Sequence, residues 1–272
     1  MQKDNKFRFK HSLGQNFLSD DQLLNSIVVD ALVKSDSNIL EIGAGAGALT
    51  TKLCQKASAG HVFSVEIDQT LQPILQKKLK NFDNVNLIFG DILKLEPKQI
   101  VTEFQNEPFK VVANLPYYIT TPILEYLLEN DFKITDITVM VQLEVAKRLC
   151  AEVGTKDYGA ITPILRLYGN SRITRVVDKT MFKPQPKVDS AVVHIEIDKN
   201  NTVDKKEVSS VIKKCFLMRR KTLQNNLMAS FGLDKLEAQT KILNLGLPIN
   251  VRAEELSLEQ FVQLSNIIKG EK

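Results

Sequence analysis

EIGAGAGALT, residues 41–50, follows the β-rich stretch NIL and leads into a segment of helical period. Glycines at 43, 45 and 47 let the backbone turn tightly and let a ligand approach where a side chain would block it. A strand, a glycine turn and a helix in that order open a doubly wound α/β sheet, and the downstream sequence keeps the same beat. HVFSVEID, VNLIFGD, KVVANLP and DITVMVQ are β-rich and are separated by segments of helical period. Such alternation implies a parallel sheet covered on both faces. RITRVV and SAVVHIEI then flank MFKPQPKVD, too close together for a crossover helix, so these two strands should pair antiparallel. The expected fold is α/β, a Rossmann-like sheet that is mostly parallel with an antiparallel strand.

Helix boundaries and a second domain follow from local signals. Ser19 and Gln22 read as a capping box opening a helix over about residues 20–33. Thr121 reads as the N-cap of another helix, with Pro122 at its first position. DKNNTVDK, residues 198–205, is polar and turn-rich and reads as a linker. Beyond it the chain is helical throughout, with Ser257 and Gln260 as a second capping box. The expected domains are residues 1–198, with a basic N-terminal arm, and a small all-helical domain over 199–272.

The 272 residues are 43% hydrophobic and 25% charged, an ordinary globular composition. No apolar run approaches the ~20 residues of a membrane span, and the N-terminus is charged, which points to the cytoplasm. Cys54, Cys150 and Cys215 lack CxxC spacing, and His11, His61 and His194 form no ligand pattern, so neither a disulfide framework nor a metal is expected. The net charge of +4 is unevenly placed: residues 1–10 carry +3, residues 11–198 carry −4, and residues 199–272 carry +5. A near-neutral body between a basic arm and a basic tail suits a surface that meets phosphates at two places.

The strand ends carry the chemistry. Gly43, Gly45 and Ala48 also satisfy the dinucleotide pattern GxGxxA, and Glu66, closing VEID about twenty residues on, can accept ribose hydroxyls in either kind of site. Asp91 closes the third strand as an acceptor suited to an exocyclic adenine amine. Asn114 closes the fourth. In a doubly wound sheet these ends share one edge, so Gly43, Glu66, Asp91 and Asn114 should line one cleft. Asn114-Leu115-Pro116-Tyr117 matches the [DN]-x-P-[YF] motif and resembles amino-directed methyltransferases that use S-adenosylmethionine. An adenine N6 amine is a poor nucleophile because its lone pair is delocalised into the ring. Acceptors at the Asn114 side chain and the Leu115 carbonyl would let the nitrogen pyramidalise, Pro116 would fix that carbonyl, and Tyr117 would stack the extruded base. Phe182, on a loop stiffened by Pro184 and Pro186, should face Tyr117 across the base. Gly14, Gln15 and Asn16 precede a helix and can close over the cofactor.

Taken together, GQNFL, EIGAGAGALT, VEID, FGD, NLPY, FKPQPKVDSAV and FLMRRKTLQNNL resemble, in order and spacing over essentially the whole chain, the ribosomal RNA adenine dimethyltransferases of the kasugamycin-sensitivity type. The resemblance implies that Asn16, Leu18, Gly43, Glu66, Asp91 and Asn114 contact S-adenosylmethionine or lie against it, and that Tyr117 and Phe182 stack the target adenine. It implies as substrate two adjacent adenosines in a hairpin near the 3′ end of 16S rRNA, each methylated twice in the 30S subunit, with a monomeric, metal-free enzyme that needs no membrane. Macrolide-resistance methyltransferases of the large subunit share the cofactor motifs. The tail separates them, since MRRKTLQNNL resembles the small-subunit enzymes and offers Arg219, Arg220 and Lys221 as phosphate contacts. A ribosome-assembly or transcription factor of this fold, acting by binding, is the alternative of another class. A dehydrogenase leaves NLPY and the basic tail unexplained. A carbon-5 cytosine methyltransferase would need a cysteine in the fourth-strand motif, which has none.

Overall fold

The computed structural model describes residues 16–198 and 200–270. The basic arm and Gln15 therefore lie outside the described residues. By internal packing the chain divides into two compact units, one running up to Ala146 and including Arg172–Glu196, the other made of Lys147–Ser171 and Ile197 onward.

In chain order the first unit runs β1 (Phe17–Leu18), α1 (Asp21–Asp30), β2 (Asn38–Ile42), α2 (Ala48–Lys56), β3 (His61–Glu66), α3 (Gln72–Leu79), β4 (Val85–Phe89), α4 (Pro97–Glu103), β5 (Phe109–Asn114), α5 (Thr120–Glu129) and β6 (Ile134–Gln142). After α6 (Leu143–Leu149) and α7 (Ile161–Tyr168) come β7 (Gly169–Val177), β8 (Phe182–Lys183) and β9 (Ser190–Ile197). The main sheet has seven strands in the order β4-β3-β2-β5-β6-β9-β7, and β1 pairs with β8 in a separate ribbon. β2 to β6 pair in parallel and β9 returns antiparallel to β6. The expected sheet, parallel with an antiparallel strand, is the observed one.

Register fixes the edge that matters. Ile42 lies opposite both Val65 of β3 and Ala113 of β5, and Glu66 lies opposite Phe89 of β4. The carboxyl ends of four strands thus stand level, and strand order reverses between β2 and β5, where doubly wound sheets bind ligands. The strands are near-continuous Val, Ile and Leu because both faces are covered: Ile39, Leu40, Val62, Val111 and Val112 are all fully buried. Each such side chain contributes about 1.5–3 kcal/mol relative to exposure, so the edge is held rigidly.

Two helix starts differ from expectation. Asp20, not Ser19, caps α1, its carboxylate accepting from the Leu23 amide at 2.8 Å; a carboxylate one residue later competes better for that orphan donor. α5 begins at Thr120, earlier than a Thr121 cap allows, because the Pro116 carbonyl accepts from both the Ile119 amide and the Thr120 hydroxyl. Pro122 falls at the third helical position, where its missing N–H still costs nothing.

The second unit holds α7, then α8 (Lys205–Cys215), α9 (Leu223–Phe231), α10 (Lys235–Asn244) and α11 (Leu258–Lys269). The Ser257–Gln260 capping box opens α11 as expected. Lys147–Ser171 departs from the expected division at residue 198: every residue of α7 except Arg166 is buried, and the Tyr158 hydroxyl donates to the Leu256 carbonyl at 3.0 Å, so this stretch shares the helical unit's core. Among the described residues no helix is long and apolar enough to cross a membrane.

Candidate active site

The glycine turn after β2 has positive φ at Gly43, Gly45 and Gly47, a backbone path that L side chains rarely follow. A Cβ at Gly47 would stand 2.9 Å from Leu75 Cδ2 of α3, and one at Gly45 would stand 2.9 Å from the Phe17 ring. α3 braces the turn further, for Lys78 Nζ donates to the Ala46 carbonyl at 3.2 Å. The glycines are therefore required both by conformation and by close packing.

Against this turn lies Glu66, at the end of β3 and 5% exposed. One carboxylate oxygen accepts from the Gly45 amide at 2.7 Å and the other from the Asp68 amide at 2.8 Å. Burial pushes its pKa up, against the lowering effect of those N–H donors. On the preceding strand Glu41 is wholly buried beneath the turn, and its carboxyl is pushed up to about 7 by desolvation. Ser64 Oγ donates to one of its oxygens at 2.6 Å, while the other, Oε1, is buried without a hydrogen-bond partner among the described residues.

Asn114 ends β5 at the same edge. Its side-chain NH2 donates to the Asn16 carbonyl at 3.2 Å, which orients the amide and leaves Oδ1 as its free-facing acceptor. The Leu115 amide donates to Met140 O of β6 at 3.1 Å, so the turn after Asn114 hangs from the neighbouring strand. The Leu115 side chain is buried, and Tyr117 is half-buried with its phenol 2.6 Å from Ser190 Oγ at the start of β9. Burial pushes the Tyr117 phenol up.

A cavity of about 70 Å3 joins these groups, lined by Asn16, Phe17, Gly43, Gly45, Glu66, Ile67 and Asn114 through Tyr117. That is well below the ~300–1,000 Å3 usual for small-molecule sites. Phe17 limits it: the same ring also walls a groove of about 470 Å3 between α1, α2 and α3. Phe17 thus stands on the wall of both spaces.

Eight of the expected site residues line one cavity: Asn16, Gly43, Gly45, Glu66, Asn114, Leu115, Pro116 and Tyr117. Others do not. Leu18 is buried and faces the neighbouring groove. Asp91 lies two residues beyond Phe89, the register partner of Glu66, and caps the following turn, accepting from the Leu93 amide at 3.1 Å; it is absent from the cavity wall. Phe182 departs furthest: it is 2% exposed, packed with Leu18, Met181 and Val192, because pairing of β8 with β1 turns its ring into the core. Tyr118, the next residue after Tyr117, is 57% exposed. Sequence reading missed Phe17 and Ser190. Phe17 lies between two expected residues in GQNFL, whereas nothing local marks Ser190, 73 residues from its tyrosine.

In the helical unit Arg219, Arg220 and Lys221 are exposed on the connection between α8 and α9. Asn226, 1% exposed, holds that connection through both its oxygen and its nitrogen to the Met218 backbone. Arg219 also donates to the Lys156 carbonyl at 3.0 Å, which fixes its guanidinium and brings the exposed Lys156 beside it.

Comparison with known proteins places this geometry. Residues 6–270 match the family described as ribosomal RNA adenine dimethylase. A curated relative from Streptococcus gordonii, ribosomal RNA small subunit methyltransferase A, is 43% identical over 97% of this chain and 93% of its own. Among solved structures, the 23S rRNA methyltransferase ErmE superposes with a TM-score of 0.69 at 28% identity, over 93% of this chain and all of that one. A dimethyladenosine transferase from Plasmodium falciparum superposes with a TM-score of 0.79 at 24% identity, over 94% and 98%, and shares the fold.

Proposed function

The chain belongs to the ribosomal RNA adenine dimethylase family, and from that premise we propose that it transfers methyl groups to the N6 amines of two adjacent adenosines in a hairpin near the 3′ end of 16S rRNA, in the 30S subunit. The observation that carries this reading is the likeness to a small-subunit methyltransferase at 43% identity across nearly the full length of both chains, against 28% for the 23S enzyme.

The residues at the sheet edge fit S-adenosylmethionine. A positive-φ glycine turn offers backbone to the amino-acid part, and a buried carboxylate at the end of β3 offers acceptors for ribose hydroxyls. Gly43, Gly45, Glu66 and Asn16 would hold it. When bound, the cofactor supplies an electrophilic sulfonium methyl. Asn114 Oδ1 and the Leu115 carbonyl accept the two hydrogens of the adenine amine, which frees its lone pair, and Pro116 keeps that carbonyl in place. The Tyr117 ring stacks the extruded base. No strong base is needed, since the proton becomes acidic once the nitrogen is alkylated. Catalysis is orientation and preorganised polarity. Asp91 caps its turn through Oδ1 and keeps Oδ2 for a further hydrogen bond, whereas Phe182 could join only by leaving the core that now holds it. Arg219, Arg220, Lys221 and Lys156 contact RNA phosphates.

The test is labelled methyl transfer to undermethylated small and large subunits, followed by mapping of the modified bases. Label in two adjacent adenosines of 16S rRNA is expected; label confined to 23S rRNA would overturn the assignment.

A further inference from the structure

The Tyr117 phenol and the Ser190 hydroxyl stand 2.6 Å apart, and Ser190 is fully buried. Ser190 is also opposite Gln142 in the β6–β9 ladder, two residues along β6 from Met140, whose carbonyl holds the Leu115 amide. The turn from Asn114 to Tyr117 is therefore fixed to one stretch of β6 and β9 at two points, through a backbone amide and through a phenol. The ladder is itself reinforced at that spot: the Asp189 carbonyl accepts from the Leu143 amide at 3.0 Å and its carboxylate from the Lys179 amide at 3.1 Å.

We propose that Ser190 is a positioning residue for methyl transfer, which pins the Tyr117 ring by its phenol so that the stacking face keeps a fixed relation to the Asn114 and Leu115 acceptors. This rests on the proposed function, in which Tyr117 carries the target base. A half-buried tyrosine on a turn has two side-chain torsions to lose, and a second anchor at the far end of the ring removes both. Its inward phenol partner also uses the hydroxyl's hydrogen-bonding capacity away from the base, so the base meets a ring face and not a competing donor. Burial moves the phenol's pKa further above physiological pH, so the hydroxyl stays a neutral partner for Ser190. With Phe182 in the core, Tyr117 is the aromatic wall of the described cavity on the Asn114 side, and its placement falls to Ser190.

The test is a double-mutant cycle in single-turnover methyl transfer to undermethylated small subunits at saturating S-adenosylmethionine. Ser190→Ala and Tyr117→Phe each remove the same bond from opposite ends and should each slow transfer by about five- to tenfold, the effect of one modest hydrogen bond. The double variant should be no slower than either. Cofactor affinity by calorimetry should not change. Independently of activity, the Tyr117 ring signal, identified by its loss in Tyr117→Phe, should titrate at higher pH in Ser190→Ala, because the hydroxyl that stabilises the phenolate is gone. Losses that multiply in the double variant would overturn the proposal, as would a wild-type rate for Tyr117→Phe, which remains informative if Ser190→Ala does not fold. Absence of transfer by the unmutated protein would instead count against the proposed function, leaving the titration to judge the tether.

Discussion

Glu41→Gln isolates a cost built into the strand beneath the glycine turn. Glu41 is wholly buried, with a pKa of about 7 against an ordinary 4.5. Below about pH 4.5 the carboxyl is protonated in both folded and unfolded chains and contributes no difference. Between 4.5 and 7 the unfolded chain ionises first and gains, so stability falls as pH rises, and the loss levels off above the folded pKa. A separation of about 2.5 units corresponds to roughly 3 kcal/mol, most of it lost between about pH 5 and pH 8. Glutamine keeps an oxygen for the Ser64 hydroxyl and places an NH2 near the partnerless Oε1 position. It removes the titration. Melting temperature measured at pH 5 and pH 8 for both proteins should show a fall several degrees larger in the wild type, since ~1 kcal/mol shifts a domain of this size by about 2–4 °C. His194 also has a shifted pKa but titrates in both proteins and cancels in the comparison, while the Glu66 charge, a minor cause of the Glu41 shift, is part of what the substitution removes. Equal pH dependence in the two proteins would mean that Glu41 is ionised in the folded state, and the reasoning from burial would fail.

Asn114→Ala should leave the fold intact and cost on the order of 10²–10³ in methyl transfer, the usual loss for a positioned polar group at a reacting centre; single-turnover rates check it, and a wild-type rate would remove Asn114 from the chemistry. Glu66→Ala should weaken S-adenosylmethionine binding by about tenfold or more, because charge-assisted hydrogen bonds are worth roughly 1.5–3 kcal/mol each, without changing which base is modified; unaltered affinity by calorimetry would refute it. Replacing Arg219, Arg220 and Lys221 with Gln should weaken small-subunit binding and flatten its salt dependence by about 0.7–0.9 in log–log slope per lost phosphate contact, with cofactor affinity unchanged. Parallel salt plots would mark the run as a solvated face.

Much of the site could be read from sequence because its signals are local. Gly43 to Gly47 declare a positive-φ turn through their composition alone, and Glu66 and Asn114 are placed by the rule that parallel strands end at one edge. Strand identities followed from apolar runs, and β9 coincides with SAVVHIEI. What could not be read is where side chains point once distant segments pair. Phe182 sits among prolines and reads as presented, yet the ring faces inward because β8 pairs with β1, some 165 positions earlier in the chain. Tyr117 and Tyr118 are adjacent and chemically identical; a buried serine reached through β9 distinguishes the pinned ring from the exposed one. Asp91 follows β4, but one of its carboxylate oxygens takes the orphan amide of the next turn and the residue is absent from the cavity wall it was expected to line.

These differences share a physical origin that bears on how the site works. The wall formed by the glycine turn is made by one continuous segment whose path is declared by its own glycines, with Lys78 and Glu66 bracing it from α3 and β3. The opposite wall draws on three separated segments, at Asn16 and Phe17, at Asn114 to Tyr117, and at Ser190, joined by hydrogen bonds of 3.2 and 2.6 Å. Segments far apart in sequence hold a common geometry only through such contacts and the sheet beneath them. The base-binding side is accordingly where one lost hydroxyl should be felt in rate, while the cofactor side should respond mainly in affinity. That division is measurable: variants of Ser190 and Asn114 should change the rate at saturating cofactor, and Glu66→Ala should be recovered by raising cofactor concentration. A Glu66→Ala defect that persists at saturation would show that the two walls do not act separately.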